Sequence, residues 1–336
     1  AEWAGVDGLA GKLAIFKAGL VAAEAAGCWA LWRVGGARAL LFAAWCPLAV
    51  TEIAFAGHVD AWVFAAVAGA LALQASGGTR AARAGACGVL ALACAAKAYA
   101  ILLAPFFIWK AGWRGLAVFV AVLAASYAPW MVATHLAGRE IATVWGAGGV
   151  GAMAGGFEFN STGYALLAWT FGEGAGRWLA AVAMAGGLGV IWLRWAAQPG
   201  AREADGGAWG AFVTNLVTKC GEKVARGLGA TAADARVPGA LVVGWWALWS
   251  PVFHPWYALL ALPFLALRPS GWGVGLLAAL PLSYVHGLTL GAGASGDYRH
   301  PFWVRPAEVL LVAAGAGVAR LRAGRRAQKL APRASE

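Results

Sequence analysis

Charge is what this sequence has least of. Only 12% of its 336 residues are Asp, Glu, Lys or Arg, where roughly 25% is ordinary for a soluble domain. Disorder is excluded as well, because it needs low hydrophobicity and here 61% of the residues are hydrophobic. Also missing are an HExxH helix, a CxxC pair and a glycine-rich phosphate loop between strand and helix, so zinc hydrolysis and nucleotide binding find no support. His58-x-Asp60 is too little for a metal site by itself, and no cofactor is expected. Cys28, Cys46, Cys87, Cys94 and Cys220 fall mostly inside apolar runs and read as small buried apolar residues, not as a disulfide frame. No segment alternates in the ten-residue manner of a membrane β-barrel. The opening AEWAGVDGLAGK has no initiator Met and no signal-peptide pattern, so the chain is read as lacking its N-terminal part.

What is present is apolar sequence in lengths that suit membrane helices, about 20 residues each. Residues 13–32, 39–57, 60–74, 115–136, 177–195, 237–253, 271–286 and 306–321 qualify or nearly so. The expected fold is all-α, a polytopic transmembrane bundle with short broken helices and outer-face loops. It covers residues 1–322, with a basic cytoplasmic tail at 323–336. No internal repeat stands out.

The net charge of +11 raises nucleic acid as a partner. Placement argues against it. Arg33, Arg38, Arg80, Arg83, Lys110, Arg114, Arg194, Arg202 and Arg268 sit in short breaks between apolar runs, with no interleaved aromatic face. If every span crosses once, these breaks share one side, which the positive-inside rule makes cytoplasmic. The tail faces anionic lipid head groups. The remaining breaks then face out, and they hold His58, Asp60, Glu140, Glu158, His254, Asp297, Arg299 and His300. His135 and His286 lie at outer span ends.

Some elements are too short to span. Between Arg83 and Lys110 the chain leaves the inner side and returns. Two helices of about 12 residues rise only about 18 Å each, short of the roughly 30 Å hydrocarbon core. An arch turning near Lys97 is predicted, and the run from Pro255 to Arg268 is similarly short. Residues 146–156 read as a glycine-rich mobile loop. The polar stretch 196–236 reads as a cytoplasmic loop with a short helix at 211–226.

Four stretches carry chemistry, each with a bland alternative. EIAFAGHVDAW holds Glu52, His58 and Asp60 among apolar residues. Asp60 could simply cap the helix it starts. Yet intramembrane carboxylates are functional hypotheses by default. Two helical turns between Glu52 and Asp60 could place both at one cavity, where a carboxylate can act as a general base. Lys97 either snorkels, pairs with Glu52 or Asp60, or holds a phosphate as a point charge. SPVFHPWYALLALP places His254, Trp256 and Tyr257 between prolines. That is either an interfacial aromatic belt or an aromatic wall for a sugar ring. GFEFNSTGY offers Glu158 and Asn160 from an outer loop. Arg299, with Asp297 and His300, either binds phosphate or meets solvent.

Taken in order, PLAVTEIAFAGHVDAW, AAKAYAILLAPFF, FEFNST and SPVFHPWYALLALP resemble the multi-spanning C-type glycosyltransferases. The chain is most similar to the bacterial polyprenyl-phosphate-mannose-dependent mannosyltransferases, over nearly all of residues 12–310. The resemblance implies a polyprenyl-phosphate sugar donor and an acceptor hydroxyl on a glycan or lipid, outside a plasma membrane crossed many times. It implies an acidic base in a first outer loop, which would precede residue 1. Transfer would be a single displacement at the anomeric carbon. Asp60 and Glu52 are the catalytic candidates here. Lys97 and Arg299 would hold the leaving phosphate. His254 would bind phosphate or acceptor, and His58, Asn160, Trp256 and Tyr257 would complete the substrate site. A transporter or flippase of lipid-linked substrates and a non-catalytic membrane subunit are the other readings.

Overall fold

The structure is a computed structural model and describes residues 8–76, 78–139, 159–198, 237–289 and 303–330. The expected mobile loop at 146–156, the helix at 211–226, Cys220, Glu158 and Arg299 lie outside the described residues. What is described is nearly all helical, with no strand beyond one isolated bridge between Phe159 and Val252. The chain forms two compact units, divided after Leu267.

In the first unit, α1 (Leu9–Ala44) doubles back at Gly36, where φ is 67° and ψ is −164°. Only glycine adopts that region readily. Arg33 and Arg38 flank the turn. The return leg predicted as one span at 39–57 is instead broken, because Trp45 leaves the helical region and Pro47 starts a new short helix, α2 (Pro47–Ala49). A π-helical turn follows at Val50–Phe55. Hydropathy reads side chains and is blind to such backbone breaks. After Gly57 (φ 77°) the chain descends in α3 (Asp60–Ala75). Gly27 of α1 allows close packing there, since a Cβ on it would lie 2.5 Å from a Phe64 ring carbon. Small residues set helix contacts where lipid removes the hydrophobic drive.

The arch predicted around Lys97 is present. Its rising leg is α4 (Arg80–Ala96), capped by the Thr79 hydroxyl. Lys97 is extended (φ −151°, ψ 119°) and turns the chain. A 3₁₀ segment (Ala98–Leu103) then leads into α5 (Ala104–Leu136). The wider rise of 3₁₀ helix, about 2 Å per residue, lets few residues make the descent. At the foot Arg83 closes the two legs, donating to the Lys110 carbonyl at 3.5 Å. Beyond it α5 reverses at Gly112 (φ 67°, ψ −159°) with nearly the Gly36 geometry.

A second arch has the same plan. Its rising leg is α8 (Gly239–Trp249), reached after α6 (Gly163–Phe171) and α7 (Glu173–Ala196). Eleven residues rise only about 16 Å, so 237–253 is not the full span expected. His254 is extended (φ −73°, ψ 148°), a 3₁₀ segment follows at Pro255–Leu260, and α9 (Leu262–Leu267) descends. The two descents also match in sequence, YAILLAPFFIWK at 99–110 against YALLALPFLALR at 257–268. Tyr, Ala, one Leu, Pro and Phe coincide, and both runs end in a basic residue. The two descents thus form a short internal repeat, where none was expected.

The second unit packs α10 (Gly271–Ala279) against α11 (Val304–Leu330), with a 3₁₀ run at Leu280–Thr289 between them. The predicted span 271–286 therefore changes helix type midway. The α11 helix runs on past residue 322 into the basic sequence. Across the described residues three helical stretches are long and apolar enough to cross a membrane: Leu9–Ala44, Ala98–Leu136 and Glu173–Ala196.

Candidate functional site

The site grows from the turn that ends the π-helical segment. Its wide hydrogen bonds, Ala56 N–H to Thr51 O and His58 N–H to Glu52 O, both 2.8 Å, fold residue 58 back over residue 52. The left-handed Gly57 makes this reversal possible, and Lys17 secures it by donating to the Phe55 carbonyl at 2.7 Å. As a result Glu52 and His58 are joined through the backbone and their side chains are brought close. Besides the backbone bond, His58 Nε2 stands 3.4 Å from Glu52 Oε2. Glu52 is fully buried, whereas the His58 side chain is 30% exposed. Burial holds His58 below the ordinary histidine range; Asp60 opposes this and Lys97 reinforces it. His58 is therefore neutral near pH 7. The 3.4 Å approach of Nε2 to Oε2 is a close contact and not a hydrogen bond; a proton held on Nε2 would leave Nδ1 with its lone pair.

Asp60 begins α3 but does not cap it, since Val59 holds the cap position. Its buried carboxylate serves the first arch instead. Tyr99 donates its hydroxyl to Oδ1, and Lys97 Nζ lies 4.0 Å from Oδ2. Of the pairings open to Lys97, the structure realises the one with Asp60. The expectation that two plain helical turns join Glu52 to Asp60 is not met, because the reversal at Gly57 intervenes and gives each carboxylate its own partner.

The second arch meets the first through its matched tyrosine, with Tyr257 and Tyr99 ring centres 4.8 Å apart. Trp246 of α8 packs against both. Trp256 lies between two imidazoles, 4.1 Å from His58 and 4.2 Å from His254, with interplanar angles of 19° and 6°. Phe159 continues the pile 4.4 Å beyond His254. Both faces of Trp256 are therefore covered, and it is not an open platform for a sugar ring. The aromatic wall foreseen at His254–Tyr257 is a clasp joining the 57–60 turn to the second arch. Phe159 is held by its bridge, donating to Pro251 O (3.0 Å) and accepting from Phe253 N–H (2.8 Å). The next residue, Asn160, has φ 53° and is buried, and its Oδ1 has no hydrogen-bond partner among the described residues.

Thus Glu52, His58, Asp60, Lys97, His254, Trp256 and Tyr257, read as candidates from separate stretches, form one connected cluster, with Asn160 on the bridge beside it. Three contributors were missed, Trp246 among them. Tyr99 sits in AYAILL, where it looks like one more apolar residue, and Phe159 gives no polar signal. The repeat YA(I/L)L could have pointed to Tyr99 through Tyr257. No group of three or more possible metal ligands occurs among the described residues. No family model, curated protein or solved structure matches the chain.

Proposed function

We propose that the chain is a multi-pass plasma-membrane glycosyltransferase. It moves a sugar, mannose by the likeness of its motifs, from a polyprenyl-phosphate donor to a hydroxyl of a glycan or lipid on the extracytoplasmic face. The observation that carries this reading is the presence in one cluster of a cation, Lys97, beside the Asp60 carboxylate that Tyr99 also holds, and of a neighbouring carboxylate and histidine, Glu52 and His58. A displacement at an anomeric carbon needs these two functions.

In the reaction, the acceptor O–H loses its proton to His58 Nδ1 as the oxygen bonds to the anomeric carbon. The bond from that carbon to the phosphate oxygen breaks, and its electron pair leaves with polyprenyl phosphate. Glu52 orients His58 and stabilises the imidazolium. Glu52 is fully buried, so the partly exposed histidine is the member of its dyad that reaches the acceptor. Lys97 stabilises the leaving phosphate, a role that a water-poor site strengthens, and Arg299 is assigned the same task. Asp60 positions Lys97. His254 and Asn160 bind the phosphate or the sugar hydroxyls by their edges, and Trp256 and Tyr257 shape the wall.

One observation favours a second reading. Secondary transporters bind substrates where internal repeats meet, and the Tyr99–Tyr257 contact is such a place. A protein that moves a lipid-linked sugar across the bilayer would use the same anion site without the dyad's chemistry. The two readings share Lys97, which can be tested by itself. Polyprenyl phosphate should raise the melting temperature of the purified full chain in nanodiscs, and Lys97→Gln should remove the rise. Equal stabilisation of both proteins would refute the phosphate role.

A further inference from the structure

Away from this cluster, the helix ends that the positive-inside rule makes cytoplasmic carry charge of one sign. The stretches 33–38, 76–83, 110–114 and 194–198 hold basic residues and no Asp or Glu. Aromatic rings pack on these cations instead. The Arg33 guanidinium lies over Trp29 at 5.6 Å, Lys110 Nζ over Trp195 at 5.7 Å and the Arg114 guanidinium over Trp113 at 5.9 Å. An indole face attracts a cation but brings no net charge to cancel it.

The foot of the first arch gathers these charges. Arg83 donates to the Gly78 carbonyl at 2.6 Å and to the Lys110 carbonyl at 3.5 Å. It thereby fixes the left-handed turn at Gly78 beside the reversal at Gly112. Lys110 and Arg114 flank that second reversal, and Trp195 brings the end of α7 against Lys110.

From these cations an apolar stripe leads away. Trp113, Leu116 and Val120 are exposed on the leg of α5 that follows Gly112. Their spacing puts them on one helix face, over about 10 Å of axis. Neither feature alone names an occupant. Together they fit an amphiphile, with an anion at one end and a hydrocarbon chain at the other. Free phosphate would use the cations and leave the stripe bare.

We propose that this foot binds an inner-leaflet lipid with an anionic phosphate head group. Its phosphate sits on Lys110 and Arg114, and an acyl chain runs along Trp113, Leu116 and Val120. Arg83 is a positioning residue that holds the two turns together. Basic pockets between helices on the cytoplasmic side suit such head groups. The proposal is independent of sugar transfer and needs only that the chain lies in a bilayer.

The test uses the full chain in phosphatidylcholine nanodiscs containing a small fraction of phosphatidylglycerol that carries a diazirine in one acyl chain. A parallel sample carries the diazirine on phosphatidylcholine. On irradiation the diazirine loses dinitrogen and the carbene inserts into a nearby C–H bond, so the adduct gains the lipid's mass less dinitrogen. Peptide mass spectrometry should find the adduct on residues 113–120. Phosphatidylglycerol should be favoured about fivefold for each cation, so roughly twenty-five-fold for two. Lys110→Gln with Arg114→Gln should bring its labelling down to the phosphatidylcholine level. Arg320→Gln with Arg322→Gln, an equal loss of charge on α11, should not. Should the first variant misfold, the comparison of the two lipids in wild type still decides. Equal labelling by both lipids would overturn the proposal, as would a missing adduct at 113–120 or an equal fall in both variants. Displacement by inorganic phosphate at the lipid's own concentration would mark a plain anion site and overturn it too.

Discussion

Tyr99 donates its hydroxyl to Oδ1 of Asp60 and thereby ties the first arch to the start of α3. Lys97, two residues before Tyr99, faces the other oxygen of the same carboxylate at 4.0 Å. Asp60 is fully buried, so it depends on both. In the proposed reaction it serves as the anchor for the cation.

Tyr99→Phe should therefore leave a buried carboxylate short of one donor, a loss of about 1–3 kcal/mol. In sugar transfer the KM for the lipid donor should rise more than kcat falls, because Lys97 is displaced and the dyad is not. Steady-state kinetics over donor concentration check this; a fall in kcat alone would argue against the anchoring role.

Removing one member of the Asp60–Lys97 pair leaves the other uncompensated. Asp60→Asn and Lys97→Met should each destabilise the protein, and the double variant should recover stability relative to their sum while remaining inactive. Lys97 is a third exposed, so solvent screening reduces the coupling to about 1 kcal/mol. Chemical denaturation in detergent, run as a double-mutant cycle, measures it.

The His58 assignment fixes the pH dependence. Burial lowers its pKa from 6.5, and a base works only when unprotonated. Transfer should hold steady above neutrality and fall as pH drops below 6.5. Asp60→Asn removes the anion that favours imidazolium, so the acidic limb should move further down, while Glu52→Gln should lower kcat by about 10²–10⁴. A limb that moves upward in Asp60→Asn would contradict the His58 assignment.

The hairpin glycines give a test of the fold alone. Gly36 and Gly112 both hold φ near 67° with ψ near −160°. Alanine at either should cost about 1–3 kcal/mol without changing donor KM. Thermal unfolding with the transfer assay beside it separates these effects.

What the sequence made legible was set by length and charge. The arch at Lys97 followed from how little chain lies between Arg83 and Lys110. The cluster followed from finding Glu52, Asp60 and Lys97 where apolar residues were due. Backbone reversals were hidden, since Pro47 and Gly57 break the run 39–57 without lowering its hydropathy. The repeat was hidden because its coinciding residues are scattered over twelve positions set 158 residues apart (257 − 99). Trp256 was read as a sugar platform because sequence shows that a ring is present but not what covers its faces.

The most direct test of the central claim uses membranes containing the full chain and a polyprenyl-phosphate donor labelled in its mannose. Label should appear in a glycan or lipid acceptor, with one polyprenyl phosphate released per sugar transferred and an inverted anomeric centre, and transfer should be lost in His58→Gln. Label that crosses the bilayer still joined to its polyprenyl phosphate, with none transferred, would contradict it and leave the transporter reading in its place.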